Sequence, residues 1–209
     1  MALRQSRSRP QTVQKPPPKI AAVAATRVEV VPRRWTYEDY CAIPDDGYRY
    51  EVIGGQLYVA PAPNRPHQRA ALQLATILNV FVQEHDLGEV DVAPFDVMLS
   101  SNNVLQPDII YVRKERMDIF TNAGAPGSPD LVIEILSPST AARDRSKKRD
   151  AYAAHGIPNS WILSAPAQSL EAYELRDGIY VLVQRLTDDE TFSPALFPGL
   201  SFSVGPLWR

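Results

Sequence analysis

The chain has 209 residues, of which 44% are hydrophobic and 22% are charged, a balance typical of a globular protein with one sizeable core. No apolar run reaches the roughly 18 residues that a transmembrane helix needs. The Arg-rich start lacks the apolar stretch of a signal peptide, so we expect a cytoplasmic protein without membrane contact. The single cysteine, Cys41, excludes an internal disulfide, and we expect it to be a small buried hydrophobic residue.

The charges are unevenly distributed along the chain. Residues 1–34 contain eight Arg and Lys against one Glu, whereas residues 35–209 contain 14 basic and 23 acidic residues. This acidic body argues against a protein that coats DNA through its overall field, so any nucleic-acid contact must be local. We interpret residues 1–34 as a disordered or loosely attached basic, Pro-rich tail, either solubilising or phosphate-grasping. Residues 35–209 are predicted to form a single domain.

From residue 35 onward, strand and helix patterns alternate. Thr36 can cap a short helix over residues 37–42, and strand-like runs over 49–53 and 56–60 flank Gly54-Gly55, a hairpin signal. Residues 67–84 carry apolar side chains at helical spacing. The later elements are strand-like stretches over 89–99, 105–112 and 131–136, a helix over 141–155, and strands over 161–163, 170–175 and 180–185. This order predicts an α/β (α+β) fold.

Two carboxylates lie in apolar strand-like stretches, Asp108 in QPDIIYV and Glu134 in PDLVIEIL. An ionised carboxylate among Val, Ile and Leu is costly to bury unless it meets a cation. Mg²⁺ prefers oxygen ligands and is typically bound by one or two carboxylates together with substrate phosphate oxygens. We therefore expect Asp108 and Glu134 to bind Mg²⁺ or Mn²⁺, which would activate a water for attack on a phosphodiester. The second Pro-Asp pair, Pro129-Asp130, opens a strand, and we expect Asp130 to be a turn or edge group.

The basic run ARDRSKKRDAY supplies a candidate lysine. Asp144, Lys148 and Tyr152 follow one another at i, i+4 and i+8 on one helical face, whereas Lys147 and Arg149 point about 100° to either side. Such a lysine could orient the water or offset charge in the transition state. The alternative is a solvated face with an Asp144–Lys148 ion pair worth about 0.2 to 0.5 kcal/mol. Spacing alone leaves both interpretations open.

The motifs together resemble the Uma family of restriction-endonuclease-like proteins, which belong to the PD-(D/E)xK nuclease superfamily. The matching segments are YEVIGGQLYVAPAPNRPHQ, APFDVMLSSNNVLQPDIIYV, PDLVIEILSPSTAARDRSKKRDAYAAHGIP and the following SWIL. The resemblance implies a restriction-endonuclease-like core, in which helices flank a central mixed β-sheet. It also implies Mg²⁺-dependent hydrolysis of DNA, with a homodimer as the expected assembly.

Carried over to this sequence, the resemblance implies that Asp108 and Glu134 bind the metal. It places Glu51, in the YEV strand, at the edge of the site as an additional acid. The superfamily pattern would put its lysine two residues after Glu134, where this chain has Leu136. Lys148, four residues before the helix tyrosine, is implied to take that role.

Three further residues are candidates for supporting the site. His67 matches a recurrent family histidine, although it could equally be a helix N-terminal residue bonded to a neighbouring loop. Asp144 and Tyr152 share the helical face of Lys148, and Tyr152 is most simply a core residue.

Three functions remain in view from the sequence. The leading hypothesis is a Mg²⁺-dependent deoxyribonuclease that uses direct attack by water. The alternative is a catalytically inactive nuclease-fold protein that binds nucleic acid or a protein partner. A third is a structural or oligomerisation module, in which the carboxylates merely bond to backbone amides.

Overall fold

The computed structural model describes residues 34–60 and 62–209, so the predicted tail, apart from Arg34, lies outside the described residues. The strands, in chain order, are β1 (Arg49–Ile53), β2 (Gln56–Ala60), β3 (Gly88–Val92), β4 (Val97–Ser100), β5 (Asn103–Leu105), β6 (Ile109–Arg113), β7 (Leu131–Leu136), β8 (Asn159–Ser164), β9 (Ser169–Arg176), β10 (Ile179–Thr187), β11 (Thr191–Phe192) and β12 (Phe202–Ser203). The α-helices are α1 (Tyr37–Cys41), α2 (Arg65–Glu84), α3 (Ala141–Arg143) and α4 (Arg149–Ala154). A π-helical segment (Asp144–Lys148) joins α3 to α4, and 3₁₀ helices cover Lys114–Ile119 and Gly205–Trp208.

Two main β-sheets organise the described residues, and β11 and β12 form a separate two-stranded sheet. A six-stranded mixed sheet has the order β10-β9-β8-β7-β6-β3, and a four-stranded antiparallel sheet has the order β2-β1-β5-β4. Within the larger sheet, β7 and β8 pair in parallel. Their connection contains α3, the π-helical segment and α4, because parallel neighbours need a crossover and cannot be joined by a tight turn.

Strand β7 is buried along its whole length and has core on both faces. Leu131, Ile133 and Ile135 belong to a cluster that also contains the buried apolar stripe of α2. Val132 packs on the other face, in a cluster with Tyr152 of α4. Because side chains alternate along a strand, Glu134 points to this second face, beneath the helical crossover.

The start of α2 places a candidate residue near the site. Asn64 is the N-cap, and its side chain accepts a hydrogen bond from the His67 backbone N–H at 3.0 Å. Pro66 occupies the first turn, where its missing N–H is not needed. The helix therefore begins two residues before the predicted start, and His67 lies in its first turn.

Several predicted elements are confirmed, including the 49–53 and 56–60 hairpin, the 131–136 strand and the Thr36 cap of α1. The predicted strands over 89–99 and 105–112 are wrong as single strands. Each is split into two strands, which belong to different sheets. Pro94 and Pro107 lie at the two breaks, and a proline cannot donate to a central strand ladder.

The prediction for Cys41 is also wrong, because this cysteine is exposed. It ends α1, a five-residue helix without any buried residue, so its position offers no core to enter. Within residues 34–60 and 62–209, none of the helices has the length and apolar character needed to cross a membrane.

Candidate functional site

Four carboxylates from separate elements face one cavity of about 290 Å³. Glu51 comes from β1 and Glu134 from β7, Asp108 immediately precedes β6, and Asp144 begins the π-helical segment. Lys148 lines the same cavity from the end of that segment. The fold thus brings together, at the meeting of its two main sheets, residues that are up to 97 positions apart in the chain.

Lys148 lies at the centre of this cluster, with its side chain only 4% exposed. Its ammonium nitrogen is 3.0 Å from both carboxylate oxygens of Glu134 and 2.7 Å from Oε1 of Glu51. Asp144 Oδ1 is 3.9 Å from the same nitrogen. The predicted shared face of Asp144 and Lys148 is therefore present, and it turns inward to the cavity. A solvated ion pair on the surface is excluded by this burial.

Asp108 is held from two directions. Its Oδ2 accepts a hydrogen bond from the Ile135 backbone N–H at 2.7 Å, and the Nε2 of His67 lies 3.2 Å from the same oxygen. The other ring nitrogen of His67 is buried without a hydrogen-bond partner among the described residues. His67 thus contacts the predicted metal ligand directly from the first turn of α2.

Glu51 is positioned by Gln106, a residue outside the predicted site. The Gln106 backbone N–H donates to Glu51 Oε1 at 2.9 Å. Its side-chain amide donates to Asp96 at 2.8 Å, and Tyr40 donates its hydroxyl to the same Asp96 oxygen at 2.8 Å. Gln106 precedes the Pro-Asp pair directly, but a backbone donor leaves no signal in residue type or spacing.

Tyr152 donates its hydroxyl to Glu134 Oε1 from inside the core. The predicted supporting position and the predicted core position of Tyr152 are therefore compatible, since the ring packs in the core while the hydroxyl reaches the carboxylate. Burial, reinforced by the neighbouring charge of Glu134, raises the pKa of Tyr152 well above its usual value. The phenol is consequently a hydrogen-bond donor at all ordinary pH values.

Burial dominates the electrostatics of the cluster. It raises the pKa of Glu134 well above its usual value, and Lys148 offsets only part of that effect while Asp144, Asp108 and Glu51 add to it. Burial by itself disfavours the Lys148 ammonium, yet its pKa is raised because Glu134, Glu51, Asp144 and Asp108 surround it. Lys148 is therefore a hydrogen-bond donor with a fixed positive charge, and it does not serve as a base.

The donor set suits a hard divalent cation. Four carboxylates line the cavity with three Lys or Arg side chains, Lys148, Arg143 and Arg49, so the acidic groups outnumber these basic ones. Glu51 Oε2 and Asp144 Oδ1 are buried without a hydrogen-bond partner among the described residues. Oxygen ligands of this kind favour Mg²⁺ or Mn²⁺ over softer metals.

The same residues do not form an all-protein metal cage. Within residues 34–60 and 62–209, no group of three or more His, Cys, Asp or Glu side chains is arranged to hold a metal ion. A cation here would need water or substrate oxygens to complete its coordination. That mode is the usual one for Mg²⁺, which commonly keeps several waters and uses one or two carboxylates.

Residues 37–205 match the family model Uma2, which is described as "Putative restriction endonuclease". This chain belongs to that family. The match spans every residue of the cavity cluster, from Glu51 to Lys148, and it confirms the resemblance inferred from the motifs. Membership assigns the chain to a nuclease-type family.

Two further comparisons show proteins to which the chain is similar. "Uncharacterized protein slr1290" of Synechocystis sp. is 25% identical to this Uma2 chain over 169 residues, covering 77% of this chain and 84% of that protein. The crystal structure of a "putative nuclease belonging to DUF820" from Anabaena variabilis has a TM-score of 0.68 at 19% identity, covering 83% of this chain and 97% of the other. The structural likeness shows a shared fold, and the predicted α+β core with its central mixed sheet is confirmed.

Proposed function

We propose that this chain is a metal-dependent endonuclease that hydrolyses DNA phosphodiester bonds with a metal-activated water. The observation that carries the proposal is the convergence of Glu51, Asp108, Glu134 and Lys148 on one cavity in a chain of the Uma2 family. These residues come from two strands, from the position that precedes a third strand and from the π-helical segment. Their burial is unfavourable unless the charges are paired or bind a cation.

In this proposal Asp108 and Glu134 hold Mg²⁺ or Mn²⁺. The bound cation would polarise the scissile phosphate and lower the pKa of a water, supplying the nucleophile near neutral pH. Asp108 is oriented for this role by the Ile135 N–H and by His67. Glu134 is oriented by Tyr152 and Lys148.

Lys148 is proposed to act as a fixed positive charge next to the reacting phosphate. Its raised pKa keeps it protonated, so its positive charge can offset the negative charge that develops on the phosphate oxygens in the transition state. Glu51 holds the ammonium at 2.7 Å and thereby fixes where that charge lies. Asp144 adds a more distant contact from the same helical run.

Cleavage of plasmid DNA tests this function. We expect the parent chain to convert supercoiled plasmid to nicked or linear DNA in Mg²⁺ or Mn²⁺ and to be inactive in EDTA. Asp108→Asn and Glu134→Gln should each lower the rate by at least about 100-fold, because each removes a charged metal ligand. If both folded variants cut as fast as the parent, the proposal fails.

The second Pro-Asp pair provides a matched control. Asp130 is buried, accepts hydrogen bonds from the Arg113 N–H and the Arg116 guanidinium at 2.9 Å each, and does not line the cavity. The sequence predicts a turn or edge group at Asp130, whereas the structure shows a buried, ion-paired carboxylate directly before β7. We expect Asp130→Asn to lower the thermal stability while the folded fraction retains the parental cleavage rate.

The inactive alternative makes a different prediction about metal. If the chain only binds nucleic acid or a protein partner, calorimetric titration with Mg²⁺ or Mn²⁺ should detect no site that depends on Asp108. The parent and Asp108→Asn would then give the same titration. The proposed enzyme should bind the metal at a site that Asp108→Asn removes.

We further propose that two copies act together, since a homodimer would present two cavities to the two strands of a duplex. Light scattering of the purified chain tests this assembly.

A further inference from the structure

Arg143 differs from the other basic residues of its helical run. It lines the same cavity as Lys148, with its side chain only 13% exposed. Arg145 instead pairs with Glu171, and Arg149 lies over the ring of Tyr173, both away from the cavity lining. Arg143 is therefore the member of this run, besides Lys148, that faces the reacting region.

The guanidinium of Arg143 makes no aligned hydrogen bond to any described residue. Its Nη2 is 3.3 Å from Glu51 Oε2, a charge contact, while that oxygen still lacks a hydrogen-bond partner. Its Nε is buried, also without a partner, and lies 3.9 Å from Asp144 Oδ1. A guanidinium has five N–H donors, and buried donors are normally hydrogen-bonded. The Arg143 guanidinium therefore has donors available for a ligand in the cavity.

The guanidinium is nevertheless held in place. Its central carbon lies 5.4 Å from the centroid of the Tyr58 ring, within the range of a cation–π contact. Tyr58 itself is buried and belongs to the core cluster that contains Tyr152. The guanidinium is thus held at the cavity before any ligand arrives, and a planar group of this kind can bind a phosphate by two parallel hydrogen bonds.

Three neutral hydroxyl side chains also line the cavity. Ser137, Ser139 and Thr140 all line it, and Ser137 Oγ lies 3.0 Å from Ser139 Oγ and 2.9 Å from Thr140 Oγ1. Lys148 is already engaged with Glu134 and Glu51. A phosphate entering the cavity could therefore accept hydrogen bonds from the Arg143 guanidinium and from these hydroxyl groups.

We propose that Arg143 binds the DNA phosphate that occupies this cavity, through charge-assisted hydrogen bonds from its guanidinium. The inference rests on the proposed function for the identity of the ligand and extends it by assigning a substrate-contacting residue. Arg143 would then be released from Glu51, at least in part, when the phosphate is bound. Its role differs from a purely structural one, in which it would only neutralise Glu51.

The salt dependence of DNA binding separates the two roles. Binding of a short fluorescein-labelled duplex is measured by anisotropy over a series of KCl concentrations, with Ca²⁺ in place of Mg²⁺, and a gel run in parallel checks that the duplex stays intact. Each phosphate contact that is lost reduces the slope of log K against log salt by about 0.9 to 1. We expect Arg143→Gln to reduce the slope by that amount, and Arg143→Lys to restore the slope because it keeps the charge.

Arg149→Gln is the matched control, since it removes one positive charge from the same helical run outside the cavity, and it should keep the parental slope. Thermal unfolding of each variant verifies that it is folded. If Arg143→Gln keeps the parental slope, or if the parent binds no duplex, the inference is overturned.

The two proposals fail separately. If Arg143→Gln keeps the parental salt slope while cleavage still depends on Asp108, only this inference is overturned. An Arg143-dependent slope in a chain that never cleaves DNA overturns only the enzymatic proposal.

Discussion

Lys148 supplies the positive charge that the buried carboxylates of the cluster require, with its ammonium 3.0 Å from Glu134. Ionised carboxylates on apolar strands, such as Asp108 and Glu134, predict a cationic partner of this kind. Lys148 could not be separated from a surface ion pair by spacing alone, because burial depends on what the helix packs against. Gln106 and Arg143 escaped prediction, since a backbone N–H and a guanidinium in the wall of a cavity arise only from tertiary placement.

Asp144 gives a pH-dependent prediction for the metal-free protein. Burial is the main cause that raises its pKa, and Lys148, Thr140 and Arg143 only partly oppose it. A carboxyl group whose pKa is raised by folding contributes stability at pH below its unfolded value, and this contribution is lost as the pH rises through the folded value. In EDTA, Asp144→Asn should therefore raise the midpoint of thermal unfolding more at about pH 8 than at about pH 4.

The exposed Asp150 of α4 provides the comparison for this experiment. Asp150→Asn should give nearly the same small change at both pH values, because an exposed carboxylate is well solvated in either state. Two results would contradict the prediction that burial of the ionised Asp144 carboxylate is unfavourable. The unfolding midpoint of Asp144→Asn could change equally at both pH values, or it could fall at the higher pH.

At the scale of the elements, local patterns predicted the hairpin, α2 and β7, whose periodicity and turn residues all agree. They did not predict the change of sheet at Pro94 and Pro107, because strand-like composition continues on both sides of each proline. They also missed the π-helical segment, which depends on the packing of the crossover over β7 and not on local propensity. That segment carries both Asp144 and Lys148.

The geometry of β7 predicts that a lysine at position 136 can replace Lys148. Leu136 lies two residues after Glu134, so both side chains point to the same face of the strand. Lys148→Met should abolish cleavage and lower the free energy of unfolding by about 3 to 5 kcal/mol, because it leaves buried carboxylates without their cation. Adding Leu136→Lys should restore part of both, as measured by plasmid cleavage and denaturant unfolding.

The control for this exchange is Leu136→Met in the Lys148→Met background. It fills the same position with a flexible apolar side chain and should restore neither activity nor stability. Equal recovery with methionine and lysine at position 136 would mean that packing, and not the positive charge, limits the Lys148→Met variant.

At the scale of the whole molecule, the charge is divided between a basic segment, residues 1–34, and an acidic remainder. The Uma2 match covers residues 37–205 and does not include that segment. We therefore predict that residues 35–209 fold as a single domain. This boundary follows from composition and from the start of α1, and it stays a prediction.

Removing residues 1–34 tests that boundary. The shortened chain should unfold cooperatively with nearly the parental midpoint and retain metal-dependent cleavage. A salt-sensitive loss of DNA affinity with cleavage preserved would identify the segment as a phosphate-grasping arm, whereas unchanged affinity would identify a solubilising tail. A shortened chain that fails to fold would contradict the domain prediction.

The most direct test of a divalent-cation site between the paired carboxylates is the anomalous diffraction of crystals grown or soaked with Mn²⁺. The account predicts one strong anomalous peak within coordination distance of carboxylate oxygens from both Asp108 and Glu134, with the Lys148 ammonium still beside Glu134. The peak should disappear in Asp108→Asn crystals treated in the same way. Parent crystals that show no Mn²⁺ peak at these two carboxylates, while Mn²⁺ is bound elsewhere in the lattice, would contradict it.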